Sequence, residues 1–111
     1  EASLMELHRF DGNHNQNTED NYIKWLNEHP DGFVLNFRKD TEGKGSKSTE
    51  RFARLHSASC KRLYSGQAAK SSTPFTGKMY AKLVSDSFEE LDDEGCEILG
   101  LDSIKKCPCL A

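Results

Sequence analysis

Apolar residues at helical spacing predict a helix near the start of the chain. They fall on one stripe of such a helix: Tyr22, Ile23, Trp25 and Leu26. Asn17 or Thr18 can cap its amino end, where side-chain oxygens satisfy unpaired amides. We expect the helix to run to about Asn27 and to stop before Pro30, which cannot continue it.

Alternation with a period of two predicts strands further along the chain. The segment GFVLNFR, residues 32–38, places three large side chains on one face: Phe33, Leu35 and Phe37. Two more strands are predicted, RFARLH at residues 51–56 and KMYAKLV at residues 78–84. The first of these is expected to lie antiparallel to residues 32–38. The polar, glycine-rich stretch 39–50 is predicted to be a loop that is long for a hairpin.

A capping box marks a second helix. Ser87 and Glu90 have the spacing at which each side chain satisfies an amide of the other residue. Phe88 and Leu91 would lie on the buried side of this helix, and Gly95 would end or interrupt it. The predicted fold is therefore α+β, with a small antiparallel sheet of three or more strands and two helices packed on one face.

Length favours one domain spanning residues 1–111. Because the sequence opens without an initiator methionine, we expect it to be a piece excised from a longer protein. No apolar run approaches the roughly 20 residues that a membrane-spanning helix needs. We therefore expect no membrane partner and a cytoplasmic location.

Charge is distributed in three blocks. Residues 1–37 carry a net charge of −5, residues 38–82 carry +8 and residues 83–111 carry −6, although the whole chain has a net charge of −3. A basic face separated from an acidic face would attract phosphates despite the negative total. The blocks could equally interdigitate and neutralise each other as ordinary surface pairs.

Cysteine and histidine spacing suggests a metal site. The stretch LHSASC, residues 55–60, contains His56 and Cys60, and the chain nearly ends on Cys107 and Cys109. Pro108 fixes the backbone between the last two thiols, which can then face a single ion. One imidazole and three thiolates are a donor set that zinc accepts in closed tetrahedral sites. Such a site would hold the tail to the sheet.

Other interpretations of these residues stay open. Cys96 could replace a ligand that fails, the cysteines could be buried free thiols, or Cys60 could form a disulfide with a tail cysteine. A thiol nucleophile activated by His56 is a further alternative, although no third orienting residue stands out.

The basic segment supplies candidates for nucleic-acid contact. A triphosphate-binding loop is not predicted at EGKGSKST, because Ser46 separates Gly45 from Lys47 and a strand is expected to follow. Phosphate contacts are instead expected from the cations Arg38, Lys39, Lys44, Lys47, Arg51, Arg54, Lys61, Arg62, Lys78 and Lys82. Base contacts or stacking are expected from Asn36, His56, Tyr64 and Phe75.

The segments HPDGFVLNFR and LHSASC, with the terminal cysteine pair, resemble a group of small bacterial domains. Their pattern is Gly-Phe-Val-Leu-Asn, Leu-His-x-x-x-Cys, a variable loop, a helix containing Glu-Leu and a closing Cys-x-x-Cys. The match spans roughly residues 29–109. It departs at the end, where one residue instead of two separates the cysteines. Some of these domains look like appendages of nucleases and restriction-type proteins, so the resemblance implies DNA recognition.

These observations favour a non-catalytic domain that recognises nucleic acid, with DNA preferred and a modified or flipped base as a possible target. The parent protein would be of a bacterial restriction or defence type, and a nuclease or other effector would lie elsewhere in it. The alternative is a protein-interaction module with a structural Cys/His site, whose acidic helices contact the partner.

Overall fold

The computed structural model describes residues 7–11, 16–60 and 80–110. The elements in these residues are β1 (Leu7–Phe10), α1 (Gln16–Glu28), β2 (Phe33–Arg38), α2 (Lys47–Phe52), β3 (Arg54–Ser57), β4 (Tyr80–Ser85) and α3 (Phe88–Leu99). Short 3-10 turns lie at Lys39–Thr41 and Pro108–Leu110.

The four strands form one antiparallel sheet in the order β1-β4-β2-β3. In the centre of the sheet Val34 lies opposite Val84 on one side and His56 on the other. Strand β4 therefore enters between β1 and β2, although it follows β3 in the chain. The predicted α+β class with an antiparallel sheet is confirmed.

The two long helices cover opposite faces of the sheet, so the prediction that both lie on one face is wrong. Helix α1 packs on what we call the α1 face, which contains Val34 and Val84. Helix α3 packs on the α3 face, which contains Leu35 and Leu83. The reason is that the central strands are apolar on both sides: every residue from Ala81 to Ser85 is buried. Strands of this kind need a covering layer on each face.

Both predicted long helices are present. Tyr22, Trp25 and Leu26 of α1 are buried as the stripe predicted. The Ser87 side chain accepts a hydrogen bond from the Glu90 amide at the start of α3, but the Ser87 amide donates to Ser85 Oγ, so only half of the capping box forms.

Gly95 lies inside α3 and does not end it. A Cβ atom at this position would lie 2.6 Å from Leu35 Cδ2 and 2.8 Å from Ile104 Cδ1. The missing side chain thus lets the helix approach the sheet closely, which local sequence cannot reveal.

Residues 47–52 form the short helix α2 in place of the predicted loop end and strand start. Ser46 and Thr49 cap it reciprocally, each amide donating to the other side-chain oxygen at 3.2 Å. The glycine-rich stretch is therefore followed by a helix after all. The spacing still departs from that of a triphosphate-binding loop. The Thr49 amide also donates to Ser46 Oγ, so it is not available to a phosphate. Strand β1 was not predicted, because LHRF is only four residues long and its side chains do not alternate between apolar and polar.

The loop before α2 docks on the end of α3. The amides of Gly43 and Gly45 donate to the carbonyls of Ile98 and Leu99, at 2.8 Å and 3.0 Å. These carbonyls belong to the last turn of α3, where no intrahelical donor is available. Gly45 has a φ of +53°, and a Cβ there would lie 2.3 Å from the Gly100 carbonyl oxygen. Glycine is therefore required at position 45 by both conformation and space.

We predict that Gly45→Ala destabilises the fold more than Gly43→Ala. Both residues have positive φ, but a Cβ at Gly43 meets nothing within 4 Å. Gly43→Ala should cost about 1 kcal/mol for the left-handed conformation. Gly45→Ala should cost about 1–3 kcal/mol more, because the backbone must move. Chemical denaturation of the two variants measures the difference, and equal losses would contradict the close approach.

Candidate metal centre

Strand β3 and the turn after it position the first two donors. His56 lies on the α1 face opposite Val34 and is 8% exposed. The Ala58 amide then donates to the Gly32 carbonyl at 2.9 Å, and the Cys60 amide donates to the Ser57 carbonyl at 3.0 Å. This turn brings Cys60 back onto the α1 face, where it is buried in the same apolar cluster as Trp25.

The C-terminal segment supplies the other two donors by pairing with the outer edge of β3. The Leu55 amide donates to the Lys105 carbonyl at 3.0 Å, and the Cys107 amide donates to the Leu55 carbonyl at 2.8 Å. These hydrogen bonds form a parallel bridge between Leu55 and Lys106. The expectation that the tail packs back on the sheet agrees with this pairing. It leaves Cys107 buried and Cys109 exposed, in the 3-10 turn that follows.

We call His56, Cys60, Cys107 and Cys109 the Cys/His cluster. One ligand atom from each residue lies within 4.8 Å of the others. The Sγ atoms of Cys60 and Cys107 are 3.8 Å apart. Two sulfurs bound to one zinc ion at tetrahedral angles would be about 3.8 Å apart, given a zinc–sulfur distance of about 2.3 Å. None of the four cysteines forms a disulfide. The cluster can therefore hold a metal ion, as the sequence predicted.

A backbone amide supports the exposed corner of the cluster. The Ser57 N–H donates to Cys109 Sγ at 3.3 Å. Such a donor stabilises negative charge on sulfur and orients the side chain, which is how groups beyond the ligands tune metal sites. The single residue between Cys107 and Cys109 does not prevent both sulfurs from reaching one point.

Cys96 cannot replace a member of the cluster, so that alternative is wrong. It lies on α3 and packs with the apolar residues of the α3 face, on the other side of the sheet. Its Sγ donates to Asp92 Oδ1 at 3.9 Å. Burial and the Asp92 carboxylate raise the pKa of Cys96, which disfavours the thiolate that a metal needs.

His56 and Cys60 lie together, as a thiol nucleophile would require. Both are buried, however, and both face the sulfurs of Cys107 and Cys109. A reactive cysteine normally sits in a partly exposed, electropositive setting. The arrangement fits ligand binding better than nucleophilic attack.

Several of the predicted phosphate-binding cations already have partners within the chain. Arg38 donates to the Asp40 carboxylate through Nε and Nη2, at 3.1 Å and 2.7 Å. Arg54 Nη1 donates to carbonyl oxygens at the end of α2. Lys39 Nζ donates to the Asp11 carbonyl at 3.2 Å. These contacts position the cations and reduce the charge that they can offer a phosphate.

Exposed cations among the described residues include Lys44, Lys47 and Arg51, all predicted to contact phosphate. Lys47 and Arg51 lie one helical turn apart on α2, and Lys44 precedes them in the docked loop. The remaining candidates lie outside the described residues: Lys61, Arg62, Tyr64, Phe75 and Lys78.

The buried Lys82 and the half-buried Asn36 form a polar pair on the α1 face, near Glu19 of α1. The Lys82 amine donates to Asn36 Oδ1. Burial lowers the pKa of Lys82 from 10.5 to about 8, and the buried Glu19 carboxylate of α1 partly opposes this shift. Lys82 is 7% exposed, so it is not available to a phosphate, and the Asn36 oxygen is engaged within the protein.

Sequence reasoning missed two side chains of this region. Glu19 lies in the first turn of α1, and its burial near Lys82 depends on which face of the sheet α1 covers. Phe52 was assigned to a strand, but it lies at the end of α2 beside the guanidinium groups of Arg38 and Arg51. Ser46, three residues before Thr49, is the local signal that could have predicted the helix.

No known protein-family model matches the chain, and neither the curated proteins nor the solved structures contain a significant match. Among the described residues, no helix has the length and apolar character needed to cross a membrane.

We predict that the free energy of unfolding rises between pH 8 and pH 10.5 because of Lys82. Since its folded pKa is lowered to about 8, the unfolded chain binds more protons in this window. The gain is complete above pH 10.5 and is lost as pH falls through 8. It should amount to about 3 kcal/mol.

The test compares denaturation curves of Lys82→Met and the exposed-site control Lys24→Met at each pH. Each variant keeps every ionisable group except the lysine that it replaces, so the contributions of the other groups cancel. Lys82→Met should lose the rise that the control retains. Identical pH dependence in the two variants would contradict the assignment.

Proposed function

We propose that this chain is a non-catalytic recognition module that is stabilised by zinc and binds nucleic acid. The observation that carries the metal assignment is the Cys/His cluster, in which three sulfurs and one imidazole converge within 4.8 Å. Thiolate and imidazole donors select zinc over the hard cations, which prefer oxygen. Four protein ligands complete a tetrahedral site and leave no open position for a substrate, so the role is structural.

A zinc ion here would join two parts of the chain that are far apart in sequence. His56 and Cys60 belong to β3 and its turn, whereas Cys107 and Cys109 belong to the C-terminal segment. The free energy of binding metal becomes folding free energy when the ligands come together only in the folded state. A domain of 111 residues has a small net stability, so this contribution would be a large part of it.

Nucleic acid is the ligand that the exposed cations favour. Lys47 and Arg51 project from one short helix with Lys44 beside its start, and lysine and arginine of this kind bind phosphate oxygens. The resemblance to domains appended to restriction-type proteins supports DNA and a bacterial defence role. Recognition of a modified base belongs to the same proposal.

A protein partner is the second candidate, because α3 exposes a strongly acidic surface. The exposed carboxylates of this helix are Glu89, Glu90, Asp93, Glu94 and Glu97. A partner with a basic surface would bind here by charge complementarity. Substitutions on α2 should weaken binding to nucleic acid, whereas substitutions of the α3 carboxylates should weaken binding to a basic protein.

The zinc assignment predicts one equivalent of zinc in the purified protein and its loss in Cys60→Ser and Cys107→Ser. Elemental analysis and thermal denaturation measure both content and stability. The matched control is Cys96→Ser, which changes a cysteine on the opposite face of the sheet. The control should keep its zinc and nearly all its stability. Zinc retained by both cluster variants, or absent from the unaltered protein, would contradict the assignment.

The nucleic-acid assignment predicts binding that depends on salt and on the cations of α2 and the loop before it. Fluorescence anisotropy with labelled DNA should show affinity that falls as salt rises. Replacing Lys44, Lys47 and Arg51 together by Gln should reduce the slope of log K against log salt by about 2 to 3, since each phosphate contact contributes about 0.7–0.9. Lys24→Gln, on α1, is the control and should leave the slope unchanged. Absence of binding at low salt would turn the search to a basic protein partner for α3.

A further inference from the structure

Phe52 occupies an unusual position for a large aromatic side chain. It is half-buried at the end of α2, yet it belongs to neither of the two apolar clusters that the described residues form. Two guanidinium groups lie over its ring instead. Arg38 Cζ is 4.9 Å from the ring centroid, and Arg51 Cζ is 5.6 Å from it. Packing in the two apolar clusters of residues 7–11, 16–60 and 80–110 therefore does not account for a phenylalanine at this position.

The two arginines differ in how firmly they are held. Arg38 is fixed by the Asp40 carboxylate, which accepts from both Nε and Nη2. A two-point contact of this kind sets the plane of the guanidinium group before any ligand arrives. Arg51 is exposed, and a cation–π contact at an exposed site is weaker than one that is shielded from water. One planar cation is thus preorganised and the other is free to adjust.

Aromatic rings and guanidinium planes are the surfaces on which proteins stack unpaired bases. In a duplex the bases are already stacked on their neighbours and present only their edges. Lys47 lies one turn before Arg51 on α2, where it can meet a phosphate next to a stacked base. A single strand can use both features, because its unpaired bases stack on planar groups and its phosphates bind the cations beside them.

We propose that Arg38, Phe52 and Arg51 form a stacking site for an unpaired base of single-stranded DNA. The inference rests on the proposed nucleic-acid function and specifies the form of its ligand. It accounts for an aromatic ring outside the core and for an arginine whose plane is fixed.

The test uses the whole chain, a fluorescently labelled oligothymidylate and the same strand paired with oligodeoxyadenylate. Phe52→Leu keeps an apolar side chain but removes the ring. It should weaken single-strand binding about tenfold, as expected for the loss of one stacked base. Phe52→Tyr keeps the ring and should bind like the unaltered protein, which separates loss of stacking from loss of fold.

One further variant separates the planar group of Arg51 from its charge, and a second is a control for the loss of an aromatic ring. Arg51→Lys keeps the charge but removes the planar group, so single-strand affinity should fall while its salt dependence is unchanged. Phe88→Leu removes a half-buried ring on α3, on the far side of the sheet, and should leave binding unaltered.

The outcomes distinguish this inference from the proposed function. If the unaltered protein binds the strand and Phe52→Leu binds equally well, the stacking site is wrong while nucleic-acid binding stands. Preference for the duplex would also overturn it. If the unaltered protein binds neither form at low salt, the proposed function fails and the stacking site fails with it.

Discussion

The outer edge of β3 is closed by the C-terminal segment, and the arrangement of both faces depends on that closure. Two backbone hydrogen bonds and the Cys/His cluster make the connection. The segment passes around the edge of the sheet: Ile104 packs on the α3 face, and Cys107 packs on the α1 face. An uncovered edge would present unpaired backbone groups to other chains. A metal ion held by the cluster would therefore contribute to fold and solubility together, while the surface of α2 stays free for a ligand.

Sequence patterns predicted the elements whose cause is local. The alternation in β2, the apolar stripe of α1 and the Ser87 cap each depend on neighbours a few residues away, and each is present. The face that each helix covers could not be predicted, because it depends on β4 being buried on both sides. The same holds for Gly95, whose role is a close approach to side chains far along the chain. The α2 helix was missed because RFARLH has strand-like alternation, and the Ser46 cap outweighs it.

The candidate site divides in the same way, into features that local sequence predicts and contacts that only the fold brings together. His56 and Cys60 could be paired with the terminal cysteines because thiolate and imidazole donors have few other reasons to recur at such spacing. The spacing favoured Cys60, Cys107 and Cys109 as ligands and left Cys96 open as a substitute. Cys96 could be excluded only from the fold, in which it packs on the α3 face. Among the basic residues, Lys82 could not be recognised as interior. Its burial depends on Glu19 and Asn36, which the fold brings close from other elements.

Amide hydrogen exchange, resolved residue by residue with and without a metal chelator, tests the central claim most directly. The amides of Leu55 and Cys107 make the hydrogen bonds that join β3 to the C-terminal segment. If a metal held by the Cys/His cluster maintains this junction, both amides lose protection when the metal is removed, no later than the amides of the central strands β2 and β4. Full protection of Leu55 and Cys107 in the metal-free protein would contradict the account.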